Sequence, residues 1–224
     1  MVYNMFMRNI QFVNGYFYHI INRGVDKRRI FQDQRDYLRF YASLYFFNNP
    51  DFHFDGGIKV DPLLSNGTFP LLSNGLVSIA SFCLMPNHFH MLLKQNSEAG
   101  ISTFMHRVSS GYSKYFNRKY ERKGNLFEGQ FKAVLMKRDA QFEHLPRYVH
   151  LNVLDLTDLN WRDGKIEDWG RAEKFLEEYP WSSHNAYLGK PQQLPVVEKS
   201  IMGEIFDTPE RYMKFLKEWS GRNI

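Results

Sequence analysis

His88 and His90 stand one residue apart in the stretch CLMPNHFHMLLKQ, residues 83–95. In a strand, alternate side chains share a face, so the two imidazoles point together while Phe89 and Met91 point the other way. Imidazole is a common metal ligand near neutral pH, and two on adjacent pleats lie close enough to chelate one ion. The same pattern suits two polar residues on the wet face of a half-buried strand, and two histidines do not complete a metal site. A third ligand and a reacting group have to come from elsewhere.

The segment HLPRYVHLN, residues 144–152, offers both. His144, Tyr148 and Asn152 recur four residues apart and so share one helix face, roughly 100° from the stripe of Phe142, Leu145, Val149 and Val153 that should meet the core. A helix laid across the sheet would bring the Tyr148 hydroxyl and the Asn152 amide oxygen to the histidine pair. Oxygen and imidazole donors with open positions suit Mg²⁺ or Mn²⁺ holding a phosphate. Taken alone, Tyr148 is equally an amphipathic residue at a core boundary. Of the other tyrosines, Tyr112 and Tyr115 fall in an apolar stripe, and Tyr120 lies beyond it beside a basic turn, placed either to stack on a base or to sit exposed.

Positioning these residues requires a scaffold, and the hydrophobic periodicity outlines one. Strands are predicted over 16–24, 76–85, 88–94 and 129–137, the middle two joined by the turn pair Pro86-Asn87. Helices are predicted over 33–47 with Asp33 as N-cap, over 101–120, and over 139–154 with Asp139 as cap and Pro146 as an awkward interior residue. The order strand, helix, strand, strand, helix, strand, helix predicts an α+β fold of the ferredoxin-like split βαβ kind, an antiparallel sheet with helices on one face. The expected organisation is a catalytic domain over 1–155 and a C-terminal extension over 156–224 packed on it. The domain carries a loop insertion over 51–75, in which PLLSNG occurs at Pro62 and again at Pro70. The extension is a helical tail, in which Thr208 caps a helix and Pro209 opens it.

The net charge of +5 is unevenly spread. From Arg107 to Arg138 there are nine Lys/Arg against two Glu, whereas from Asp155 onward ten Lys/Arg face thirteen Asp/Glu. A local basic segment points to a polyanion-binding surface. Its candidate contacts are Arg107, Lys114 and Arg118 on the helix, and Arg122, Lys123 and Lys132 in the turn and strand. Tyr120 or Phe127 is placed to stack on bases. Arg23, with Lys27, Arg28 and Arg29, forms a second patch or a solvated turn. The single Cys83 excludes an intrachain disulfide and a Cys-pair zinc site, which fits a reducing cytoplasm. No leader and no run of eighteen apolar residues is seen, so no membrane partner is expected.

In this order, YHIINRG, LMPNHFHMLLK, YFNRKYERKGNLFEGQFKA, YVHLN and YPWSSHNAYLG resemble the REP-associated tyrosine transposases. These are single-tyrosine HUH transposases related to the insertion-sequence 200/605 group, and the matching segments span 16–189. The resemblance implies that His88 and His90 are the HUH metal ligands, that Tyr148 is the nucleophile, and that Asn152 fills the place where relatives carry a Gln or Asn ligand. It further implies a single-stranded DNA substrate beside an imperfect REP-type hairpin, a 5′-phosphotyrosine intermediate with a free 3′-hydroxyl, and a monomer or homodimer. Two readings follow. One is a metal-dependent nicking and strand-transfer enzyme; the other is an inactive module of the same fold that binds a nucleic-acid hairpin. A plain metal hydrolase would need a carboxylate ligand that the spacing does not supply.

Overall fold

A computed structural model describes residues 10–52, 69–136, 139–164 and 166–218, the side chains of 139–143 and 203–205 excepted. Strands β1 (Phe17–Arg23), β2 (Val77–Met85), β3 (His88–Gln95) and β4 (Lys132–Leu135) form one sheet in the order β2-β3-β1-β4, every pairing antiparallel. Helix α1 (Gln34–Phe46) follows β1, α2 (Gly100–Lys119) follows β3, and α3 (Asp139–Leu151) follows β4 and passes into a 3-10 turn over Asn152–Leu156. This is the expected α+β, split βαβ arrangement. Helix α3 runs through Pro146. The side chain of Asp139 and the first PLLSNG copy, at Pro62, lie outside the described residues.

Helix α1 begins where a capping box closes: the Asp33 side chain accepts from the Asp36 amide while the Asp36 carboxylate reaches back to the cap. Asp36 is wholly buried, and Lys119 and the Tyr120 hydroxyl, both 2.7 Å away, donate to its carboxylate. Replacing Asp36 with Ala removes the box and a buried counter-charge together, and is expected to lower the unfolding free energy by about 2–3 kcal/mol. Urea denaturation reads this, and a loss below about 0.5 kcal/mol would show the cluster to contribute nothing net.

Residues directly paired across antiparallel strands share a face. The face that carries Phe89 is covered by α1 and α2: the Phe40 ring lies 5.1 Å from both Phe89 and Tyr112. Helices on one face were expected, and α1 and α2 keep to it. Helix α3 instead packs against β2 and β3 on the opposite face, which carries the histidines. Its own buried stripe of Leu145 and Val149 needs an apolar floor, and the first face is already filled.

The C-terminal segment contains α4 (Trp169–Glu178), α5 (His184–Tyr187), a 3-10 stretch over Lys199–Phe206 and α6 (Pro209–Lys217). Thr208 caps α6 by accepting from the Arg211 amide, with Pro209 in the first turn. The segment covers the edge of β2, where Leu84 donates to the Trp181 carbonyl at 2.8 Å and Ser183 to the Phe82 carbonyl at 2.9 Å. A buried polar chain ties it to α3. His150 bonds the Ser183 hydroxyl at 2.6 Å and the Tyr212 hydroxyl at 3.0 Å, and Tyr212 bonds His184 at 2.7 Å. No helix among the described residues is long and apolar enough to cross a membrane.

Candidate active site

Strand register places the histidines. Arg23 pairs with His88, Ile21 with His90 and with Lys132, and Cys83 with His90. One sheet face therefore carries His19, Arg23, His88, His90 and Lys132. The His88 and His90 rings lie 5.0 Å apart. Helix α3 sets Tyr148 over them, its ring meeting His90 edge-to-face at 5.5 Å and His19 at 6.0 Å.

The two imidazoles are prepared as neutral donors. His88 Nδ1 stands 2.6 Å from Asn87 Oδ1, and the Asn87 amide nitrogen is anchored 3.2 Å from the Lys27 carbonyl, so the ring nitrogen must donate and Nε2 keeps its lone pair. His90 Nδ1 lies 2.9 Å from His19 Nε2. With the proton assigned to His90 Nδ1, His90 Nε2 is likewise an open donor, and His19 acts as the outer partner that orients it. Burial, with help from Arg23, brings the His88 pKa down to about 4, against an opposing pull from Asp155. Burial takes His19 down to about 3, and burial followed by the neighbouring His19 and His88 holds His90 well below its ordinary range. Both rings are thus unprotonated at neutral pH, the state a metal requires.

The third expected ligand is engaged elsewhere. Asn152 is fully buried; its amide nitrogen donates to the Tyr148 carbonyl at 2.9 Å, and its oxygen accepts from Arg162 Nη2 at 3.3 Å. That bond occupies one of the two lone pairs of the amide oxygen. Among the described residues no group of three or more His, Cys, Asp or Glu side chains gathers as a metal cage. The donors that the described contacts bring together are the two imidazoles, 5.0 Å apart.

Arg162 itself was not foreseen. Its guanidinium donates from Nε to Asp155 at 3.0 Å and from Nη2 to the same carboxylate, and it lies 4.6 Å above the Trp161 ring and 5.7 Å from the Tyr148 ring. Burial would lower its pKa, but the hydrogen bonds it donates to Asp155 and Tyr148 outweigh that and keep it above its ordinary value. Trp161 donates to Asp155 at 2.7 Å and packs 5.8 Å from Tyr148. His19 lies in the YHIINRG segment, and the pairing of strand 16–24 beside strand 88–94 is the signal that locates it. Nothing in the spacing pointed to Asp155, Trp161 or Arg162.

The proposed nucleic-acid contacts separate into groups. Arg23 and Lys132 are exposed on the histidine face. Lys114 and Arg118 are exposed on α2, across the sheet from the histidines, and cannot share their cleft. Arg107 is spent on the carbonyls of Asn49, at 3.0 Å, and Pro50. Tyr120 is occupied by Asp36 and by the Phe116 ring 4.6 Å away, and Phe127 is buried 6.0 Å from Phe89, so neither presents a free stacking face. Lys123 is exposed in the turn. Arg122, with Arg28, Arg29 and Gln32, lines a cavity of about 340 Å³. The loop that carries Arg28 and Arg29 is bonded to the Pro86-Asn87 turn, at the His88 end of the sheet. Cys83 is buried, and burial pushes its thiol pKa far up, so it is inert.

Residues 70–152 match the family model described as "Transposase IS200 like", a span that contains His88, His90, Tyr148 and Asn152. No curated protein matches the chain. Among solved structures, a REP-associated tyrosine transposase bound to a REP hairpin aligns with 84% of this chain and 90% of its own, at 11% identity and a TM-score of 0.48.

Proposed function

We propose that this chain, whose central segment carries the IS200-like transposase pattern, is a single-tyrosine transposase. In this reading it nicks single-stranded DNA beside a hairpin and transfers the strand through a 5′-phosphotyrosine link on Tyr148. The observation that carries the proposal is the delivery of Tyr148 from α3 onto the paired imidazoles of β3, with its ring 5.5 Å from His90. Both halves of the site come from one chain, which supports a nucleophile serving its own histidines.

The reaction follows from the residues present. His88 and His90 would hold a Mg²⁺ or Mn²⁺ ion through Nε2, and when bound that ion supplies electrophilic help to the phosphate. Tyr148 gives its phenolic proton to solvent, and its oxygen forms a bond to phosphorus as the bond from phosphorus to the 3′ oxygen breaks. The departing oxygen keeps the electron pair and takes up a proton, leaving a free 3′-hydroxyl. The covalent link conserves a phosphodiester, so another 3′-hydroxyl can reverse the step on a new strand without a nucleotide cofactor. Arg23 and Lys132 flank the histidines to steady phosphates, and the cavity of Arg28, Arg29 and Arg122 extends the cationic track away from His88.

The test is a denaturing gel of the purified protein with Mn²⁺ and labelled single-stranded hairpin DNA from beside its own gene. A band shifted by the protein's mass, absent in Tyr148→Phe, is the expected result. Binding without an adduct would reduce the protein to a hairpin-binding module.

The His19 contact has a consequence of its own. His19→Phe leaves His90 Nδ1 without an acceptor and should raise the Mn²⁺ Kd of the DNA-free protein by about 10–100-fold, with His19→Gln recovering part. Calorimetric titration measures it, and an unchanged Kd would leave the contact as packing alone.

A further inference from the structure

We propose that Arg162 is a catalytic residue of this site, its Nη1 edge receiving the scissile phosphate beside the Tyr148 hydroxyl. The assignment rests on Tyr148 as nucleophile and adds a group that lies beyond the matched residues 70–152.

The geometry is that of a guanidinium built to meet an anion. Asp155 takes Nε and Nη2 and Asn152 shares Nη2, so neither uses Nη1, and the Tyr148 hydroxyl is the remaining partner of the guanidinium, which sets the nucleophile beside the phosphate position. Trp161, itself only 1% exposed, forms a flat floor 4.6 Å below the guanidinium, which fixes the plane of the fork. The Arg162 side chain is 49% exposed, so an incoming strand can reach it. Asp155 fixes the orientation of the guanidinium by bonding its Nε and Nη2 edge, which leaves Nη1 on the side away from the carboxylate. The guanidinium lies 5.7 Å from the Tyr148 ring, which in turn lies 5.5 Å from His90, so the three groups bound one space. A phosphate entering there would meet Nη1 at the point where charge accumulates as the Tyr148 oxygen attacks. Arg162 would also stay with the phosphotyrosine once it forms, because the phosphate remains attached to the same side chain.

The experiment compares wild type, Arg162→Gln and Arg162→Lys with Mn²⁺ and hairpin DNA at saturating concentration, reading the single-turnover rate of adduct formation. Hairpin Kd, Mn²⁺ Kd and thermal midpoint are measured alongside. We expect Arg162→Gln to slow adduct formation by about 100-fold or more, with hairpin Kd changed less than about tenfold and Mn²⁺ Kd unchanged. Arg162→Lys, which keeps a point charge without the fork, should fall between. Adduct formation by Arg162→Gln within about threefold of wild type overturns the proposal. So does a loss shared equally by both variants that follows their thermal midpoints or their Mn²⁺ Kd, since that marks a scaffold role. If wild type itself gives no adduct, the nicking reading fails, and the phosphate contact is decided separately by binding of single-stranded oligothymidylate in EDTA. Arg162→Gln should then reduce the salt slope by about one unit, and an unchanged slope overturns the contact.

Discussion

Tyr148→Phe is expected to take covalent adduct formation from a readily visible band to none, while leaving the protein folded and its hairpin Kd within about threefold of wild type. The substitution removes one oxygen and keeps the ring. The ring is what packs edge-to-face on His90 and His19, at 5.5 and 6.0 Å, against Trp161 at 5.8 Å and beneath Arg162. Those contacts survive in phenylalanine, so the thermal midpoint should move little. Affinity should survive as well, because the proposed function assigns it to the cations of the basic loop and the histidine face. The other tyrosines of the basic segment offer no substitute. The Tyr112 hydroxyl is buried and donates to the Ile30 carbonyl, and those of Tyr115 and Tyr120 are held on Asp36 at 3.1 and 2.7 Å. An adduct of undiminished yield in Tyr148→Phe would overturn the site as a whole.

Acid should unfold this protein at an unusually high pH. His19, His90, His150 and His184 are all buried, and burial brings His19 and His184 down to about 3 and holds His90 and His150 well below their ordinary range. In the unfolded chain each returns to a value near 6.5. As pH falls through about 6.5 the unfolded state takes up protons that the folded state refuses, so stability declines with falling pH and is unaffected above that window. Each ring contributes a slope approaching about 1.4 kcal/mol per pH unit. Four together can exhaust a typical stability of about 5–15 kcal/mol within about two to three pH units. The depressed carboxyls of Asp33 and Asp158 act in the same direction, but only nearer their own lower range. The thermal midpoint should be level from pH 7 to 8, drop steeply below pH 6, and vanish between about pH 4 and 5. A level midpoint from pH 7 down to 4.5 would mean that these rings are not held neutral in the fold.

Much of the scaffold was legible because local periodicity dictates it. Alternation in 88–94 and the turn pair Pro86-Asn87 define the β2–β3 hairpin, the three- and four-residue spacing of Tyr37, Phe40 and Leu44 defines α1, and Asp33 and Thr208 mark helix starts through short-range capping bonds. That His88 and His90 share a face needs nothing beyond the strand period. The helical spacing of Tyr148 and Asn152 was equally plain, but it did not say what each would touch. A spacing rule places side chains on one element and is silent about the neighbour.

The sequence by itself therefore determined the order of strands and helices, the common face of the histidine pair, the cation-rich middle of the chain, and the Tyr148 and Asn152 spacing, all consequences of residue type and local period. Only the tertiary structure decided that α3 crosses the face opposite α1 and α2, because two helices already fill the first face. The tertiary structure also put His19 against His90, through the pairing of β1 with β3 over a separation of 71 residues. It spent Arg107 and Tyr120 on the fold, and it brought Arg162 from the C-terminal segment to Asn152 and Tyr148. These outcomes depend on which buried surfaces and charges find each other across the folded chain, and no window of neighbouring residues contains that information.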